Sequence, residues 1–148
     1  MAFYGTDRYA IDHKGRVSVP ASMRRVPGRA KPLDRFILVR GFEGCVALYS
    51  PENWKRFEDR LLAIPIGNSK GRAFARAYLM DASTVTVDAQ GRVTIPPALM
   101  SHAGLGKDAV LHGQIDRIEI WNPDRLRALV ADASGQLESL ADEVLGGN

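Results

Sequence analysis

The sequence predicts an α+β fold made of two similar halves. Each half runs strand, turn, strand, short helix, strand, strand, helix. Three observations predict it. A segment at 11–21, from Ile11-Asp12-His13-Lys14-Gly15-Arg16 to Val17-Ser18-Val19-Pro20-Ala21, recurs at 87–97 as Val87-Asp88-Ala89-Gln90-Gly91-Arg92-Val93-Thr94-Ile95-Pro96-Pro97. Each copy is followed by a pair of short apolar runs, Phe36–Val39 with Cys45–Tyr49, and Val110–Leu111 with Ile118–Trp121. Each pair then leads into a helix start in which a capping side chain precedes proline, Ser50-Pro51-Glu52 and Asn122-Pro123-Asp124.

In chain order, Tyr9, Ile11, Val17 and Val19 alternate with Arg8, Ala10, Arg16 and Ser18. Period 2 on both sides of Asp12–Gly15 reads as a hairpin with one buried face. Asp suits the first position of a type I turn and Gly the position that takes positive φ. Pro20 ends the strand and opens a short helix that Pro27-Gly28 stops. A basic loop spans 27–34. After Pro51, Trp54, Phe57 and Leu61 fall at helical spacing, and Pro65 and Gly67 close that helix. A further helix is expected over Asn68–Met80. The hairpin pattern then returns over Thr84–Ile95. Pro96-Pro97 opens a helix through His102, with Gly104 as its left-handed terminator and Leu105 as the apolar contact beyond it. The last helix carries Leu126, Leu129, Val130, Ala133, Leu137, Leu140 and Val144, with a break near Ser134-Gly135; this stripe is expected to be core, or otherwise a contact with another subunit. Asp12 and Asp88 lie 76 apart but Pro51 and Pro123 only 72, so the second half is four residues shorter, a loss placed in the basic loop.

At 148 residues and 45% hydrophobic, the chain can bury a real core. No run of 18 apolar residues offers a membrane span, and Met1–Asp7 lacks a signal-peptide pattern, so a cytoplasmic protein is expected. The one cysteine, Cys45, excludes an internal disulfide and is expected as a buried small hydrophobe. The net charge of +3 is uneven: residues 1–35 carry eight Lys/Arg against three acids, whereas Glu119 onward carries six acids against two arginines. A basic head and acidic tail suit a polyanion-binding face with the tail held away from it, or a solvated surface with no such role.

Enzyme signals are weak. His13, His102 and His112 lack metal-site spacing, and there is no Walker loop or dinucleotide fingerprint. The hairpins are more informative. Asp12 faces Arg16 around its turn, as Asp88 faces Arg92. Such a pair braces the turn, and it also holds a guanidinium ready for phosphate or guanine. The first tip, His13-Lys14, is basic; the second, Ala89-Gln90, is neutral.

With two Asp-x-x-x-Arg hairpins, His102-Ala103-Gly104-Leu105 and Arg117-Ile118-Glu119-Ile120-Trp121 in this order, nearly the whole chain resembles the MraZ family of bacterial transcriptional regulators. The resemblance implies an intramolecular AbrB-like swapped-hairpin β-barrel with a pseudo-twofold repeat and flanking helices. Residues 7–54 and 83–126 would be its halves, 55–82 the linking helices and 127–148 the helical tail. It implies a nucleoid-associated regulator of the division and cell-wall gene cluster, including its own promoter. The partners are double-stranded DNA with short repeats and further copies of the chain in a ring-like homo-oligomer. No cofactor, metal, membrane or small-molecule substrate is implied. The DNA-contacting residues carried over are Asp12, His13, Lys14, Gly15 and Arg16, with Asp88, Gln90, Gly91 and Arg92. The tips imply that the first hairpin adds more affinity and the second more completes the barrel. Ser22 stands where the family commonly has a basic residue. The rival readings are an AbrB-type antitoxin-like module whose tail binds a partner protein, and a metal-dependent enzyme using the histidines.

Overall fold

A computed structural model describes residues 2–146. The first half comprises β1 (Thr6–Ala10), β2 (Arg16–Ser18), α1 (Ala21–Arg24), β3 (Arg35–Gly41), β4 (Cys45–Tyr49) and α2 (Pro51–Leu62). Then α3 (Ser69–Leu79) leads to the second half: β5 (Ser83–Thr86), β6 (Arg92–Thr94), α4 (Pro97–His102), β7 (Asp108–Gly113), β8 (Ile118–Trp121) and α5 (Pro123–Ser134). The last element is α6 (Leu137–Leu145). The helix starts form as their sequences dictate. The Ser50 side chain accepts the Asn53 N–H, and Asn122 accepts those of Asp124 and Arg125. At the end of α4, Leu105 N–H reaches the Met100 carbonyl and Gly104 N–H that of Ser101, the double closure expected around a left-handed glycine.

The strand pairing departs from a simple hairpin. Beside each turn, the two arms separate into different sheets, and β1 forms no ladder with β2, the isolated bridge between Ile11 and Val17 lying just beyond β1. All strand pairs are antiparallel. Six strands run in the order β1-β7-β8-β4-β3-β5, and β2 pairs with β6 in a separate ribbon. Thus β1 lies on β7 of the other half, and β5 on β3. Period-2 alternation tells which face of a strand is buried but not which edge it pairs with, so it cannot distinguish a closed hairpin from exchanged arms. The ladders leave β1 and β5 as the edges of the larger sheet, and no closed barrel is found among the described residues.

The strand order reads the same when the halves are interchanged, and the register locates the pseudo-twofold axis. Val17 faces Val93, its own repeat 76 residues on, and Ala47 faces Glu119, its repeat 72 residues on. Between these, the pairings of Phe36 with Val85 and of Tyr9 with Ala109 are equivalent, which puts β3 and β7 73 apart. Three of the four missing residues are therefore lost between β6 and β7. The fourth is lost in the β7–β8 turn, not in the loop to which sequence spacing assigned it.

The larger core joins Val17, Val19, Val93 and Ile95 to Phe36, Leu38, Leu111 and Ile118, with Met23 of α1 and Leu99 of α4 packed in. A smaller cluster uses the other face of β3 and β4, where Val39, Ala47 and Tyr49 meet Tyr78, Trp54 and Phe57. Cys45 is buried as expected, and its burial pushes the thiol pKa up. The second half differs at the axis. Buried Glu119 accepts hydrogen bonds from Trp121 Nε1 and Arg117 Nη2, each 3.0 Å, so its charge is partnered.

The final helices correct another expectation. Neither α5 nor α6 has a buried residue, and Leu137 and Val144 are 69% and 77% exposed. Their stripe is not part of the core of this chain. An amphipathic pattern specifies that a face is apolar, not what covers it. Among the described residues no helix is long and apolar enough to cross a membrane.

Leu48 is fully buried between the paired halves. Leu48→Ala is expected to lower stability by about 2–5 kcal/mol, the usual span for a buried leucine left as a cavity. Urea unfolding would show this as a lower midpoint with an unchanged slope.

Candidate functional site

Each recurring motif folds into the same turn. Asp12 N–H donates to the Arg16 carbonyl at 3.0 Å, and Gly15 N–H returns to the Asp12 carbonyl at 3.0 Å. In the second copy Asp88 and Arg92, then Gly91 and Asp88, make the same bonds at 2.8 and 2.9 Å. Gly15 and Gly91 have φ of 77° and 80°, a region in which a Cβ is disfavoured. A Cβ on Gly15 would also come within 3.0 Å of the Ile95 carbonyl oxygen.

The aspartates organise the turns. Asp12 Oδ1 accepts the backbone N–H groups of Lys14 and Arg16, both at 2.9 Å, while Oδ2 takes Arg16 Nε at 2.6 Å. Asp88 repeats this with Gln90, Arg92 and Arg92 Nε, each at 2.9 Å. The backbone N–H of Arg16 is the main cause holding the Asp12 carboxyl down to about 2, helped by the Arg16 side chain and the Lys14 N–H. Asp88 is lowered in the same way, chiefly by the Arg92 N–H.

The two turns meet at one place. In the β2–β6 ribbon, Arg16 pairs with Thr94, Val17 with Val93, and Ser18 with Arg92. The valines are fully buried, so alternation sends Arg16, Ser18, Arg92 and Thr94 to the opposite face. Asp12 also reaches across, its Oδ2 lying 3.8 Å from Arg92 Nη1. Arg16 and Arg92 thus share one face and one carboxylate. Each spends Nε on its own aspartate, and their terminal Nη groups make no hydrogen bond among the described residues. These are forked donors, partly exposed and fixed at the stem. They suit a phosphate, a carboxylate or a guanine edge.

Of the sequence-predicted residues, Asp12, Arg16, Asp88 and Arg92 are brought together. His13, Lys14 and Gln90 lie exposed at the tips, and Gly15 and Gly91 shape them. Ser18 and Thr94 belong to the same outer face and escaped sequence reasoning as site residues. Their signal was available, since each lies two positions beyond an arginine in an alternating strand. The three histidines are not assembled: His102 contacts the Gly41 carbonyl, while His112 contacts Thr6 and Gln114. No group of three His, Cys, Asp or Glu among the described residues is placed to hold a metal ion.

The exchange also decides what flanks each tip. Ile95 N–H donates to the Gly15 carbonyl at 2.8 Å, and Val19 N–H to that of Gly91 at 2.9 Å. The first tip consequently borders α4, across a cleft lined by His13, Lys14, Met100 and Ser101. The second borders α1, where Arg24 Nη2 would lie 3.3 Å from a Cβ on Gly91.

Two stretches of the chain, 2–77 and 78–145, match the family model described as "MraZ protein, putative antitoxin-like". The chain is similar to proteins named "Transcriptional regulator MraZ" from several bacteria. It is 36% identical to that of Natranaerobius thermophilus over 143 residues, covering 97% of this chain and 96% of the relative. For Heliobacterium modesticaldum the identity is 37% with the same coverage. For Alkaliphilus metalliredigens it is 38% over 142 residues, 96% of each chain.

The depressed aspartates make the turns acid-sensitive. A carboxylate whose pKa is lower folded than unfolded contributes stability above its unfolded value, ordinarily 3.8 for Asp, and that contribution is lost as pH falls toward about 2. Thermal melts of wild type are expected to fall through this window, and Asp12→Asn is expected to melt lower at pH 6 with a weaker dependence between pH 4 and 2. Parallel pH curves for the two proteins would exclude Asp12 as a contributor.

Proposed function

The chain belongs to the MraZ family, and from that premise we propose that it is a sequence-specific DNA-binding transcriptional regulator that contacts the duplex with the β2–β6 ribbon. The observation that carries this reading is the pair Arg16 and Arg92, braced by Asp12 and Asp88 on one partly exposed ribbon face. A two-stranded ribbon fits the major groove, and an arginine fork matches guanine O6 and N7. Lys14 and His13 at one tip and Gln90 at the other serve the phosphates beside that contact. The arms exchanged between halves hold the two motifs in register. In this reading residues 7–54 and 83–126 are the DNA-binding halves, 55–82 the linking helices and 127–148 the tail.

The target in this reading is the division and cell-wall gene cluster, its own promoter included, which the protein represses through short repeated boxes. It works in the cytoplasm at the nucleoid, without a cofactor. Several copies in a ring engage successive boxes, so weak single contacts combine into avidity. The uncovered apolar side chains Leu137, Leu140 and Val144 on the tail support self-association. The same face supports a second reading, an antitoxin-like module whose tail binds a partner protein. Purification from the native host separates the two: a stoichiometric second protein on the tail favours the antitoxin, and a homo-oligomer that shifts promoter DNA favours the regulator.

Arg16→Ala and Arg92→Ala are each expected to weaken binding to the DNA upstream of the protein's own gene by at least about fivefold, on the scale of one lost guanine fork at about 1–3 kcal/mol. Arg16→Lys retains the charge but not the fork and is expected to lose sequence preference more than affinity. Gel shifts with matched circular dichroism decide this. Folded Arg16→Ala and Arg92→Ala proteins that bind like wild type would overturn the reading.

A further inference from the structure

The two halves differ between the short helix of each and the strand that follows it. In the first half α1 ends at Arg24, and Arg25 is extended, with φ −75° and ψ 137°. In the second half α4 continues to His102, the counterpart of Val26. The path from Pro20 to Arg35 is also three residues longer than that from Pro96 to Asp108. Three cations lie in the altered segment, Arg25, Arg29 and Lys31. The corresponding stretch 101–107 has one lysine, Lys107, and completes the same architecture without the others. The fold therefore does not account for them.

The segment is held at both ends. Pro27 and Gly28 form the centre of a turn closed by Arg29 N–H on the Val26 carbonyl at 3.1 Å, and Gly28 has φ 83°, as a type II turn requires. Leu33 is buried; its N–H meets the Arg24 carbonyl at 2.7 Å, and its carbonyl accepts Arg24 Nη1 at 2.9 Å. On this frame Arg25, Arg29 and Lys31 line one cleft of about 660 Å³ with Pro27, Ala30 and Pro32. All three cations are exposed, and their side chains make no hydrogen bond or ion pair among the described residues. The described lining holds no acid, amide or aromatic ring. Arg29 also borders a neighbouring cleft lined by Asp34 and Glu52, but pairs with neither among the described residues; Glu52 is engaged by Arg56.

Such a lining reads charge, not a base or a sugar. Cations gathered around one cleft repel each other unless an anion lies among them, and two of these are guanidinium forks that match phosphate oxygens. We propose that this cleft is a phosphate-binding site, separate from the arginine pair of the ribbon, in which Arg25, Arg29 and Lys31 hold the anion. The backbone of DNA and a free phosphate anion present the same group, and the test separates these two sources.

Two full-length variants are compared with wild type: Arg25→Ser/Arg29→Ser/Lys31→Ser, and the charge-retaining Arg25→Lys/Arg29→Lys/Lys31→Arg. In the first arm, fluorescence anisotropy follows a labelled duplex from upstream of the protein's own gene across about 50–200 mM salt. If the source is DNA, the serine variant is expected to lower the salt slope by about 2–3 and the charge-retaining variant to keep it. In the second arm, calorimetry follows inorganic pyrophosphate. If the source is a free anion, wild type and the charge-retaining variant bind it and the serine variant does not. A loss by the serine variant in either arm, restored by the charge-retaining one, supports the site and names its source. A serine variant that is folded by circular dichroism and matches wild type in both arms would overturn the inference. So would a charge-retaining variant that loses as much as the serine one, since the role would then be structural. The DNA reading stands or falls separately: wild type that binds pyrophosphate through this cleft but no DNA would overturn that reading alone.

Discussion

The pairing of Val17 with Val93 puts two fully buried valines, each the repeat of the other, at the centre of a three-residue ribbon. A ribbon this short has little ladder of its own. It persists because its inner face is part of the main core and its ends are tied by Gly15 to Ile95 and Val19 to Gly91. Everything outward of it follows from that anchoring. With the valines turned in, alternation has to turn the arginines out, and antiparallel pairing has to place them diagonally across one face. Shifting the register by one residue would bury the arginines and expose the valines.

The halves are held in this relation by more than strands. Asn53, near the start of α2, donates to the Asp116 carbonyl in the β7–β8 turn, and Arg125, near the start of α5, donates to Gly44 in the β3–β4 turn. Asn53 and Arg125 lie 72 residues apart, as do Gly44 and Asp116, so these are two copies of one contact across the axis. One copy uses a neutral amide and the other a guanidinium that also reaches the His102 carbonyl. Equivalent architecture has been kept with different chemistry. The same holds at Ala47 and Glu119, where one half packs a methyl group under aromatic rings and the other a partnered carboxylate.

Because neither half can complete its sheet without a strand from the other, the site is a property of the whole chain. Asp12 shows this on the smallest scale. It caps its own turn with two backbone N–H groups and a guanidinium, and it also approaches the arginine of the other motif. Its charge therefore orients both forks, whereas Asp88 makes contacts only within its own turn among the described residues. Both guanidinium stems are held by an aspartate of their own turn.

Much of this was legible in the amino-acid order. Asp-x-x-Gly-Arg specifies its turn locally, because a carboxylate can bond backbone groups two and four residues on and only glycine relaxes at positive φ. Ser50-Pro51 and Asn122-Pro123 specify helix starts for equally local reasons. The internal repeat declared two halves, and the four charges of the motifs, Asp12, Arg16, Asp88 and Arg92, were visible from their spacing. Partner choice was not legible. Alternation assigns faces, so the exchange of β1 and β5 between halves, the meeting of Arg16 with Arg92, and the exposure of the stripe on α5 and α6 had to wait for tertiary structure. So did the neighbourhood of each tip, because α1 and Arg24 come to the second tip only through that exchange. Short-range chemistry determined what each segment is; burial of a shared core, summed over segments far apart in the chain, decided which segments stand side by side.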